Sequence, residues 1–261
     1  MEADLVTHTV ERKIFRSVRA VIVYDPSAIH GNDLSVINKL YRPINVELLS
    51  YKDLGKASED DYDVLGILGE TALKGSSPIL RNFNCLKLGF YSERESPEQS
   101  TSSMKYLKAA ISCLGSKTLL DSLRTTMFHF YESLTLPSLL NIDLADVGSI
   151  ARGIGISFNE SGKSSEDVIN KLPPQCYFAR SALLHFTCKK DVTLEEVYSI
   201  SKTISIRRSL GPFVSENPNV DQIKMYKRIR LKMGLRVAQD RSGAGPRISL
   251  TGILFGINGK L

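Results

Sequence analysis

The sequence predicts an α/β fold that passes, through a long central helix, into a smaller α+β C-terminal part. Three observations predict it. Apolar runs at 19–24, 63–68 and 85–90 are separated by helical spacing and turn-prone residues, the pattern of a parallel sheet. Residues 117–136 place Leu119, Leu120, Leu123, Met127, Phe130, Tyr131 and Leu134 on one helical stripe. Residues 229–238 alternate Ile229, Leu231, Met233, Leu235 and Val237 with Arg230, Lys232, Gly234, Arg236 and Ala238, a half-buried strand with a basic outer face.

Taken in order, the strand at 19–24 ends in Asp25-Pro26-Ser27, and Leu34, Ile37, Leu40 and Tyr41 give the first helix. A short strand is expected at 45–49. The run at 63–68 is followed by an expected Gly/Ser loop over 69–78, and the run at 85–90 by a solvated loop over 92–103. Helices are expected at 104–114 and 117–136, the second ended by Pro137. A short helix at 144–151, a strand at 154–158 and a helix at 164–172 closed by Pro173-Pro174 follow. A strand at 178–188 precedes a helix at 193–206 that opens on a Thr-Leu-Glu-Glu capping box. After the strand at 229–238 comes a turn at 241–246 and a last strand at 248–255, expected to close a hairpin.

With 261 residues the chain can bury a full core, and no run nears the ~18 apolar residues of a spanning helix. The first residues lack a secretory pattern, so a cytoplasmic location is expected. Cys85, Cys113, Cys176 and Cys188 form no CxxC pair, which argues for free thiols and against a zinc knuckle. His129 and His185 sit among apolar residues and read as core or interface groups; no metal site is expected. The charge is uneven. Residues 201–261 carry 12 basic against 3 acidic groups, whereas residues 1–200 carry 22 against 25. Lys224, Lys227, Arg228, Arg230, Lys232 and Arg236 could meet nucleic acid, a membrane surface or an acidic protein, or simply face water. Aromatic interleaving is sparse, which disfavours nucleic acid.

The sharpest local feature is Pro137-Ser-Leu-Leu-Asn141-Ile-Asp143-Leu-Ala-Asp146. Carboxylates three apart at a helix start can jointly orient a water for hydrolysis. Equally, Asp143 can cap the helix and Asp146 complement its dipole. A second motif, Ser157-Phe-Asn-Glu-Ser-Gly162-Lys163-Ser164, has the look of a phosphate loop but lacks its first glycine. A polar turn with Ser164 or Ser165 as a helix cap is the preferred reading.

A long helix, then Pro, an apolar pair, NxDxxD and another helix resembles the centre of the tubulin/FtsZ cytoskeletal GTPases, FtsZ in particular. The likeness continues through 151–162, 191–197 and 248–255, covering the chain from about residue 116 onward. It implies a reduced tubulin/FtsZ-like nucleotide-binding domain at 1–116, the central helix at 117–136 and an α+β C-terminal domain at 137–261. It also implies that Asn141, Asp143 and Asp146 enter the nucleotide pocket of a neighbouring subunit and promote hydrolysis there. Asp121 holds the position that meets the guanine edge. Phosphate contacts would fall to Gly69, Thr71, Gly75, Ser76, Gly31 and Asn32.

The N-terminal third departs from that family where phosphate would bind. In Gly69-Glu-Thr-Ala-Leu-Lys-Gly75-Ser-Ser-Pro78 the outer glycines and the proline keep their places, but the middle glycines are replaced. Glu70 adds charge beside the phosphates and Leu73 adds bulk, with Lys74 offsetting part of the charge. In the first loop only Gly31-Asn32 matches, and Asp25 brings another carboxylate. The segments 42–62 and 91–116 are short for the family. The expectation is an FtsZ-like division protein with weak or lost GTP and GDP binding. It would associate longitudinally with itself or with a GTP-bearing FtsZ homologue, hydrolysis being residual or in trans. The alternatives are a self-assembling GTPase with unorthodox phosphate loops, and a scaffold whose basic C-terminal face binds membrane or an acidic partner.

Overall fold

The computed structural model describes residues 18–29, 31–58, 60–95, 105–136, 138–210, 229–238 and 245–257. β1 (Ala20–Tyr24) and β3 (Val64–Leu68) are buried at every residue, as strands covered on both faces must be. β2 (Val46–Ser50), β4 (Leu86–Ser92), β5 (Ala109–Cys113) and β6 (Gly153–Gly162) continue the parallel set. Beyond β6, β9 (Ile248–Phe255) pairs antiparallel with both β6 and β7 (Ser181–Cys188), and β8 (Arg230–Val237) closes the edge parallel to β7. The nine strands form one sheet, in the order β2-β1-β3-β4-β5-β6-β9-β7-β8.

Helices cover both faces. α1 (Gly31–Tyr41) and the central helix lie on one side, where Ile22, Leu88, Phe90 and Ile111 meet Ile37, Tyr41, Leu123, Met127 and Phe130. The central helix α3 runs unbroken through an α turn (Leu119–Ser122), a π-type segment (Leu123–Met127) and a second α segment (Phe128–Thr135). α2 (Gly69–Leu80) covers the other side, with Ala72, Leu73 and Leu80 against Val21, Val23, Leu65 and Ile67. Past a short α4 (Leu144–Ile150), α5 (Ser165–Lys171) and α6 (Leu194–Leu210) cover the antiparallel half through Val168, Val197, Ile200 and Ile204. Ser164 caps α5 by accepting from the Asp167 amide, so the phosphate-loop look-alike is a strand, a turn and a helix cap. Thr193 and Glu196 form the expected capping box of α6.

The central helix packs closely on β3. A Cβ added at Gly66 would lie 2.3 Å from the Tyr131 hydroxyl, and Tyr41 clamps the π segment by donating to the Leu123 carbonyl at 2.7 Å. Gly66→Ala is expected to destabilise the fold by roughly 1–3 kcal/mol through overpacking; a urea melt with unchanged midpoint would refute this contact.

Three expectations are corrected. Residues 69–78 are not a loop but the body of α2. Glu70, Thr71, Ala72, Leu73 and Lys74 tolerate a helix where glycines would not, and a Glu70–Lys74 pair at 2.7 Å spans its first turn. Within 104–114, residues 109–113 form β5 rather than a helix. The two alanines favour a helix in isolation, but a site between β4 and β6 overrides propensity. Finally, β9 makes no hairpin with β8. β9 is buried at seven of its eight residues and takes a partner on each edge, while β8 carries cations suited to a sheet edge.

Candidate functional site

Strand order reverses between β1 and β3, because β1 leads through α1 to β2 on one side and β3 builds outward on the other. Ligands in open α/β sheets bind at such a switch point, beyond the carboxyl ends of the strands. Here the crevice is bounded by the turn after Tyr24, the first turns of α1 and α2, the segment after β4 and the start of α3. Asp25 is buried and accepts from the Ser27 amide at 3.0 Å, which folds the β1 turn back on itself. Gly31 and Asn32 open α1, whose Asp33 pairs with Arg124 of α3 at 3.2 Å. Asp121 completes a capping box with Thr118. Its carboxylate accepts from the Thr118 amide at 3.0 Å, and its own amide donates to the Thr118 hydroxyl at 3.1 Å.

The first turn of α2 is filled from within the molecule. Gly69 has φ +79°, and a Cβ there would lie 2.7 Å from Leu119 Cδ1 and 3.3 Å from Glu95 Oε1. The Glu95 carboxylate accepts from the Ser92 amide at 3.2 Å. Burial raises its pKa. Thr71 is exposed on the same helix. Gly75 and Ser76 lie farther along the helix, about 9 Å from Gly69 at helical rise. Gly75 receives the Tyr51 ring, since a Cβ would meet it at 2.5 Å, and the buried Ser76 hydroxyl donates to the Ala72 carbonyl at 2.7 Å. Both lie within the body of α2. An open groove lined by Arg19, Asn38, Arg42, Glu47 and Tyr62 lies at the opposite ends of β1 and β2, away from the crevice.

The second predicted feature lies far from the first. The 17 residues of α3 carry the chain about 25 Å from the crevice to the segment 138–146. There the edge strand β8 holds it. The Leu139 amide donates to the Leu235 carbonyl at 2.8 Å, and the Leu235 amide to the Leu140 carbonyl at 3.0 Å. Ile142 is buried against Gly234, where a Cβ would stand 2.9 Å from Ile142 Cδ1. Asp143 caps α4 by accepting from the Asp146 amide at 2.6 Å, and Asp146 is ion-paired with Lys232. Asn141 accepts from the Ser138 amide at 2.9 Å. Asn141 and Asp143 remain exposed, as do Leu139 at 68% and Leu140 at 41%.

Two cations of β8 are ion-paired within the chain. Lys232 reaches Asp146, and Arg236 reaches Glu132 of α3. Burial alone would raise the Glu132 carboxyl, but His129, Arg236 and His185 hold it below the usual range. His185 is buried beside this group and its pKa is pushed down to about 4, chiefly by burial and against the pull of Glu132. Lys232 and Arg236 stay partly exposed while ion-paired. Arg230 is exposed, while Lys224, Lys227 and Arg228, like Pro137 and His30, lie outside the described residues. Cys85, Cys113, Cys176 and Cys188 are free thiols, and burial pushes Cys85 and Cys188 up to about 11. Among the described residues no three His, Cys, Asp or Glu side chains converge as a metal site, and no helix is long and apolar enough to cross a membrane.

Sequence reasoning missed Glu95, the approach of Leu119 to Gly69 and the Lys232–Asp146 pair. A signal for Glu95 existed: it lies three residues beyond β4, where the carboxyl ends of a parallel sheet build their site. Nothing in the sequence pairs Lys232 with Asp146, which are 86 positions apart.

No family model matches the chain. A curated relative, cell division protein FtsZ 2 of Pyrococcus furiosus, is 38% identical over 77 residues, which takes in 25% of this chain and 19% of that protein's length. Solved structures match far more extensively. A point mutant of FtsZ from M. jannaschii superposes with TM-score 0.62 at 13% identity, covering 92% of each chain. An FtsZ dimer from M. jannaschii gives 0.63 at 13% identity, over 93% of this chain and 89% of the other. CetZ from Methanosaeta thermophila gives 0.56 at 10% identity, over 93% and 87%. The fold is tubulin/FtsZ-like.

Proposed function

We propose that this chain with a tubulin/FtsZ-like fold is an assembly protein that associates head to tail through residues 138–146 without holding nucleotide tightly itself. One observation carries the reading. The switch-point crevice and the exposed Leu139-Leu140-Asn141 segment stand at opposite ends of the 17-residue α3, the disposition that a heterologous, head-to-tail contact requires. Leu139 and Leu140 supply apolar area and Asn141 and Asp143 the polar rim. The neighbour is a second copy or a GTP-bearing homologue of the same fold. In the latter case Asp143 is the carboxylate free to face that neighbour's nucleotide, because Lys232 already neutralises Asp146.

The chain's own crevice fits a triphosphate poorly. Leu119 and Glu95 occupy the approach to Gly69, and the carboxylates of Asp25, Glu70 and Glu95 oppose phosphate charge. Lys74 is committed to Glu70. No hydrolytic step in this chain's crevice follows from such a site.

Titration calorimetry with GTP and GDP is expected to show no micromolar binding, and sedimentation is expected to show self-association or co-pelleting with an FtsZ polymer. Leu139→Glu is expected to abolish pelleting. Asp143→Asn keeps an equally good helix cap but removes the charge, and is expected to lower any stimulated GTP turnover by the partner at least several-fold. Pelleting unchanged by Leu139→Glu would end the proposal for this surface.

A further inference from the structure

Backbone hydrogen bonds align the starts of β4 to β8 along one edge of the sheet, with the end of β9 between β6 and β7. The Lys108 amide donates to the Lys87 carbonyl at 2.8 Å, and the Gly153 amide to the Lys108 carbonyl at 3.2 Å, which sets Arg152 beside them. Past β9, the Arg180 amide donates to the Phe255 carbonyl at 2.9 Å, and the Arg230 amide to the Arg180 carbonyl at 3.2 Å. Lys108, Arg152, Arg180 and Arg230 therefore form a row at the strand ends opposite the crevice, about 19 Å long at ~4.8 Å per strand. All four are exposed, and none makes an ion pair among the described residues. Asp63, on the same edge before β3, is paired with Arg19, and Lys87 donates to the Phe83 carbonyl. The stem of Arg180 lies along Gly256, where a Cβ would come within 3.1 Å of it. The middle of the row is open: apart from its chain neighbours, nothing lies within 4 Å of where a Cβ on Gly153 would stand. Two aromatic rings flank the cations. Phe178, two residues before Arg180, is 41% exposed, and the half-buried Tyr106, two residues before Lys108, has the Lys105 ammonium 5.0 Å from its ring centre.

We propose that this edge docks on an anionic lipid bilayer, with Lys108, Arg152, Arg180 and Arg230 on headgroup phosphates and Phe178 entering the interface. Cations left without carboxylate partners and set in one row create a local field that draws a polyanion. Three of the four are arginines, whose planar forks match phosphate oxygens two at a time. The aromatic residues favour lipid over nucleic acid. Phe178 has no polar handle and gains by leaving water for the headgroup boundary. A single strand would instead need rings interleaved with the cations to stack its bases, and here they stand at the flanks. Lys232 and Arg236, already held by Asp146 and Glu132, take no part. The surface is separate from the 138–146 segment, so the inference stands independently of the head-to-tail reading.

Flotation of the full chain with vesicles on a density gradient tests this, because it separates lipid binding from self-association. The native chain is expected to float with vesicles of phosphatidylglycerol and phosphatidylcholine in equal parts. It should stay down with phosphatidylcholine alone and be released from the mixed vesicles as salt is raised. Arg152→Glu and Arg180→Glu are each expected to weaken binding about tenfold. Lys190→Glu makes the same change in net charge at the other end of β7 and is expected to change nothing. Should Arg180→Glu disturb the packing on Gly256, Lys108→Glu combined with Arg152→Glu decides. A native chain that ignores the mixed vesicles would overturn the proposal, and its binding to a single-stranded oligonucleotide would then assign the row to nucleic acid. Binding unchanged by Lys108→Glu with Arg152→Glu would overturn it as well. So would an equal loss in Lys190→Glu, which would reduce the effect to net charge.

Discussion

Gly234→Val is expected to release the 138–146 segment from the body of the protein and abolish head-to-tail association, at a stability cost of roughly 1–3 kcal/mol. The position has no room on the side facing the loop. An added Cβ would meet Ile142 at 2.9 and 3.1 Å and the His185 ring at 3.3 Å. A single methyl at 234 asks only for a small shift of the end of the Ile142 side chain, so Gly234→Ala is expected to be mild. Valine adds two further methyls and forces Ile142 out of a site where it is 3% exposed. Because the contact is pairwise, Ile142→Ala in the Gly234→Val background should restore part of the lost stability, an interaction energy measurable in a double-mutant cycle. Additive effects would mean that Ile142 is not the obstacle. Lys232→Ala offers the electrostatic counterpart, freeing Asp146 while leaving the steric seat of the loop in place.

Lowering the pH from 7 to 4 is expected to remove about 3 kcal/mol of stability through His185. The folded protein holds this imidazole near pKa 4, against 6.5 in the unfolded chain, because burial disfavours its charged form. As pH falls the unfolded state therefore binds the proton first. Stability is complete above about pH 6.5 and declines until about pH 4. The groups facing His185 are Glu132, which favours its protonation, and His129 and Arg236, which oppose it. Glu132, held below its ordinary value, adds a further loss in the same direction at still lower pH. His185→Gln is expected to flatten the slope of denaturant midpoint against pH between 6.5 and 4. A slope unchanged by that substitution would place the titration elsewhere. Since this group ties α3 to β7 and β8, acid is expected to loosen the seat of the 138–146 segment before the parallel half of the sheet.

Much of the fold was legible because its signals are local. The runs 19–24 and 63–68 could only be doubly covered strands, and the stripe from Leu119 to Leu134 only a helix on a sheet. The capping roles of Ser164 and Thr193 could be read from three-residue spacings. The segment 104–114 could not be read, because alanines carry helix propensity and only the gap between β4 and β6 makes them a strand. The candidate site divides the same way. Asp143 and Asp146 stood out as a motif, and Asp143 indeed caps α4, whereas the commitment of Asp146 to Lys232 depends on β8 lying at the sheet edge.

The sequence by itself determined the strand and helix alphabet and the α/β class, since these follow from apolar period, capping chemistry and turn residues within a few positions. The tubulin/FtsZ likeness came from resemblance around Asn141, Asp143 and Asp146. Only the tertiary structure decided that Gly69 opens α2 against Leu119. Only it paired Lys232 with Asp146 and Arg236 with Glu132. These contacts join groups 50 to 104 residues apart, and contacts of that range leave no periodicity in a chain for local physics to read.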